Sequence, residues 1–100
     1  MLMNETILTN MEKQVFLETL DAVRMEAKVS AGDGQIISFA NRVRSFVRKT
    51  GIEVIPVFCG IRLYSGAREE AQKQKIVLVG DREIRNEIPL TIFTIKPQDL

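Results

Sequence analysis

Between Gly34 and Thr50 the apolar residues Ile36, Phe39, Ala40, Val43, Phe46 and Val47 recur at helical spacing. At 100° per residue these positions, with Thr50, fall within an arc of about 120°, which predicts an amphipathic helix over 34–50. Asp33 is placed to cap its start. Gly51 follows its last turn, where a residue without Cβ closes a helix at little cost. Upstream, Phe16, Leu20, Val23 and Ala27 form a second stripe with Leu17 beside it, and Glu12, Glu18 and Glu26 lie opposite. Thr9 and Glu12 have the spacing of a capping box. The pattern predicts a helix from about Asn10 to Lys28, preceded by a flexible leader over 1–8 and followed by the breaker "SAGDGQ".

Past Gly51 the period changes to two. Ile55, Val57, Cys59, Ile61 and Leu63 alternate with mixed partners, the signature of a strand with one apolar face. Pro56 places that strand at an edge or a bulge, and Gly60 marks a bend. "SGAREEAQ" reads as a connection with one helical turn, and "KIVLV" as a strand buried on both faces. "GDREIRNE" reads as a charged hairpin tip, "IPLTIFTI" as a third strand and "KPQDL" as a tail. Helices followed by strands predict an α+β fold: two N-terminal helices packed on one face of a C-terminal three-stranded antiparallel sheet (ααβββ). Residues 9–100 form one such domain, since 100 residues are too few for two. The open edges of a short meander predict a homodimer.

Charge sharpens the picture only locally. The net charge is +1, so no global field draws the chain to nucleic acid or an acidic membrane. Residues 34–52, however, carry four bases (Arg42, Arg44, Arg48 and Lys49) and no acid. Centred on Val43, Arg42 and Lys49 flank one side of the apolar stripe, Arg44 and Arg48 the other, and Asn41 lies between the two groups. Arg48 and Lys49 also sit in the last turn, where cations complement the helix dipole. The single cysteine, Cys59, cannot form an intrachain disulfide and is expected as a buried, inert thiol, which suits a cytoplasmic setting. No signal-peptide pattern or membrane-length apolar run appears.

Candidate chemistry is narrowed by absence. The chain has no histidine, which removes a Ser-His-Asp triad, a Cys-His pair and a histidine-ligated zinc site. "VLVGDREIRN" has neither glycine-rich phosphate-binding spacing. Glu69 with Glu70, or Asp81 with Glu83, could offer a weak Mg²⁺ site, but Arg68, Arg82 and Arg85 lie alongside. No metal, cofactor or catalytic residue is expected. Arg62, Tyr64, Arg68, Lys73 and Lys75 would serve a metal-free ribonuclease resembling small toxins, an analogy at the level of fold. By elimination the expected function is a non-catalytic protein-binding module, a regulator, inhibitor or adaptor, with Asn41, Arg42, Arg44, Arg48 and Lys49 as partner-binding residues. A nucleic-acid binder using the same basic helix is the alternative, and toxin-like ribonuclease a lesser one; no membrane partner is expected.

Overall fold

The computed structural model describes residues 3–22 and 28–95. The elements alternate: β1 (Met3–Ile7), α1 (Asn10–Ala22), β2 (Lys28–Ala31), α2 (Asp33–Thr50), β3 (Val57–Leu63), α3 (Ser65–Gln74), β4 (Val77–Val79), α4 (Asp81–Ile84) and β5 (Thr91–Ile95). Strands β2, β3 and β4 form a parallel sheet in that order, while β1 and β5 pair antiparallel from Met3↔Ile95 to Ile7↔Thr91. The fold is α+β.

The expected ααβββ arrangement with its antiparallel sheet is therefore incorrect, and the reason lies in two elements with weak local signals. α3 is a ten-residue helix whose buried stripe is only Ala67 and Ala71, so its sequence looks like a polar connection. β2 is four residues long and adjoins a segment whose spacing continues that of α1. The first helix is described to Ala22, and Lys28, its expected end, belongs to β2; Val23, Glu26 and Ala27 lie outside the described residues. With β2 and α3 in place, α2 and α3 become crossovers between successive strands, and strands so joined run parallel. The residues read as a leader supply β1, and the presumed hairpin tip contains α4.

The sheet is covered on both faces, not one. Phe58 and Leu78 pack with Ile36, Ala40, Ala67 and Ala71 of α2 and α3, and the Phe39 and Phe58 rings meet edge-on with centroids 5.6 Å apart. The neighbouring positions Val57, Cys59, Val77 and Val79 join Phe16 and Leu17 of α1, with Leu90 and Ile92. Alternation along β3 and β4 thus separates the two clusters. Cys59 is half-buried in the second. The expected apolar face of β3 is only partly realised: Ile55 and Ile61 are exposed, whereas Pro56, Phe58 and Gly60 are buried. Pro56 precedes a central strand rather than an edge, and its carbonyl accepts the Val77 N–H at 2.8 Å. It lies just outside β3 and joins the β3–β4 pairing through its carbonyl, so its missing N–H falls before the strand begins.

Local signals hold where they are strong. Thr9 and Glu12 make the reciprocal capping contacts, Glu12 N–H to Thr9 Oγ1 at 3.2 Å and Thr9 N–H to Glu12 Oε1 at 3.3 Å. Gly51 closes α2 at φ 69°, and its N–H reaches the Val47 carbonyl. The N-cap of α2 is Gly32 rather than Asp33, and the Gln35 side chain accepts the Gly32 N–H at 2.9 Å.

Candidate partner-binding surface

Of the five polar residues singled out on α2, Asn41, Arg42, Arg48 and Lys49 are exposed and Arg44 is half-buried. The buried residues of α2 are Ile36, Ala40 and Val47. Their centre lies about 40° from Val43 toward Arg44 at 100° per residue. This rotation follows from α3, whose Ala67 and Ala71 allow the two helices to approach closely. Arg44 is drawn into that contact: its guanidinium donates to Gln74 Oε1, and Gln74 Nε2 donates to Glu70 Oε2 at 2.8 Å. Asn41 and Arg48 are exposed on the same flank, toward α3.

The opposite flank gains what this one loses. Phe46, counted from its spacing as part of the apolar stripe, is 47% exposed. Arg42 lies four residues before it and Lys49 three after, so both are its neighbours on the helix surface. Both are exposed, and among the described residues neither has a carboxylate within ion-pair distance. Phe39 and Val43, half-buried, extend the apolar strip inward. Because α3 follows β3 and the strand order is β2-β3-β4, Phe46 lies on the side of α2 toward β2. Arg42 and Lys49, about 140° and 160° from the buried centre, face outward. On the β2 side, among the described residues, the outer edge of β2 pairs with no strand. The result is an aromatic ring exposed between two cations on the outer surface of α2. Phe46 was legible only as a position near the limit of the apolar arc.

The carboxyl ends of parallel strands, where α/β sheets commonly hold ligands, are occupied differently. Gly80 follows β4, and a Cβ there would come within 2.4 Å of Leu63 Cδ1. Against it lies Glu83, which is 3% exposed. Glu83 Oε1 accepts the Gly80 N–H at 2.8 Å, and Oε2 pairs with Arg68 Nη1 at 2.5 Å. A charge withdrawn from water needs such partners, and this one has them within the protein. Sequence reading placed Arg68 in a possible active site and Glu83 in a weak metal pair; it did not pair them, because they sit on α3 and α4.

The remaining candidates are dispersed. Tyr64 precedes α3 and Lys75 follows it, about 15 Å apart along a ten-residue helix. Lys75 Nζ lies 5.1 Å from the Phe93 ring centre. Arg62 and Lys73 are exposed. Among the described residues no three Cys, Asp or Glu side chains cluster closely enough to hold a metal ion, and no helix is long and apolar enough to cross a membrane. The chain matches no family model, no curated protein and no solved structure.

Proposed function

We propose that this chain is a non-catalytic protein-binding module, a regulator, inhibitor or adaptor, that takes an acidic segment of another protein, part of it extended along the β2 edge and part across the exposed face of α2. The observation that carries the reading is Phe46 exposed between Arg42 and Lys49, neither of which has a carboxylate partner among the described residues. The extended part would satisfy the β2 main chain, acids of the part across α2 would meet Arg42 and Lys49, and an apolar side chain would cover Phe46. Arg44 is left out of this surface because Gln74 holds it. A single cysteine suits a cytoplasmic setting.

One observation favours nucleic acid as a second reading. α1, which carries Glu12 and Glu18, packs on the opposite sheet face from α2, so its acids do not lie alongside the basic helix. A second copy of the chain is the other competing occupant of an open edge.

The test is affinity capture from host lysate with the wild-type chain, the Arg42→Glu/Lys49→Glu pair, Phe46→Ser and the control Gln14→Lys, each with and without nuclease. A stoichiometric protein retained after nuclease by wild type and control, and reduced at least about tenfold by both α2 variants, is the expected result. Nucleic acid released with a steep salt dependence, and no protein beside it, would replace this reading with the second. Sedimentation of the purified chain as a dimer that Phe46→Ser converts to monomer would assign the edge to self-association.

A further inference from the structure

The first turns of α1 hold an ammonium group in an unusual place. Lys13 is 3% exposed, and its Nζ donates to the Ile88 carbonyl at 3.3 Å. That bond uses one of three donors, and no carboxylate of the described residues lies within 4.0 Å of the nitrogen. A buried cation without a counter-ion is costly. Lys13 also lines an open cleft of about 460 Å³ between α1 and the segment joining α4 to β5, within the range of small-ligand sites. Ile7, Leu8, Ile88 and Pro89 give that cleft an apolar wall. The acid at its rim, Glu87, is already paired with Arg82 at 3.4 Å and Arg85 at 3.2 Å. The helix start adds little, because Thr9 and Glu12 cap each other there.

We infer that this cleft binds a carboxylate with an apolar body, its acid group on Lys13 and its hydrocarbon against Ile7, Leu8 and Pro89. A single cation matches a monoanion, whereas a phosphate dianion would lack further donors. The same chemistry is offered by a small aliphatic acid and by the free C-terminus of an apolar peptide. The site is remote in sequence from the α2 surface and does not depend on its role.

The experiment is a titration of the full chain, followed by amide NMR at constant ionic strength, with hexanoate, hexanamide and inorganic phosphate. A short apolar peptide, with free or amidated C-terminus, forms the second arm. Hexanoate or the free-acid peptide should shift the amides of 9–13, 86–88 and 90, and the stronger of the two identifies the source. Hexanamide and the amidated peptide should bind at least about tenfold more weakly, as should hexanoate to Lys13→Met. Ile7→Glu, which changes an exposed side chain at the mouth, provides the same comparison if Lys13→Met does not fold. Equal binding of acid and amide, preference for phosphate, or absence of any shift would overturn the inference.

Discussion

At the residue scale, the most constrained contact joins Arg68, Gly80 and Glu83. Glu83 is inside because its two oxygens have separate donors, the Gly80 N–H and the Arg68 guanidinium. Arg68→Ala would leave the carboxylate buried without its cation, and the expected loss is about 3 kcal/mol in urea unfolding. The joint change Arg68→Met/Glu83→Leu should cost clearly less, because it removes the need for charge compensation as well as the pair. Equal losses from the single and joint changes would refute the energetic role assigned to the ion pair. Charge alternation in "AREEAQ" and "GDREIRN" made these residues look like solvated loops; only the approach of α3 to α4 distinguishes Glu83 from its exposed neighbours.

At the element scale, α2 and α3 show what periodicity reports. The spacing in α2 located the helix and its closure at Gly51, and it placed Arg42 and Lys49 on one side of the stripe. It could not supply the last 40° or so of rotation, because that depends on what packs against the helix. Small residues on α3 decide it, bringing Arg44 in and leaving Phe46 out. α3 itself was nearly invisible: two alanines four residues apart carry little hydrophobic signal, yet Ala67 is fully buried. Ala67→Leu is therefore expected to cost about 2 kcal/mol by overpacking against α2, read as a lower urea midpoint at unchanged slope. A neutral outcome would mean that the helices are not closely packed.

At the scale of the whole molecule, the two apolar clusters lie on opposite faces of the same strands. Loss of either face exposes β3 and β4, so both should unfold together. Ile36→Ala in one cluster and Leu90→Ala in the other should each cost about 2–5 kcal/mol. Each should lower a single transition that circular dichroism and amide exchange report alike; a split transition would show that the clusters fold independently. The pairing of β1 with β5 joins the two ends of the described chain, a contact that no local pattern encodes.

Several features follow from the sequence because their causes are local: the capping of α1 by Thr9 and Glu12, the extent of α2, the turn at Gly51, and the position of the unopposed basic charges. A hydrogen-bonded cap or a 3.6-residue period acts within a few residues and carries its own signature. Tertiary structure decided the direction of the strands, the strand identity of β2, the burial of Arg68 with Glu83, and which flank of α2 meets solvent. An apolar stripe states that one side of an element must leave water; it does not state which element covers it, because burial is nondirectional and many partners satisfy it equally.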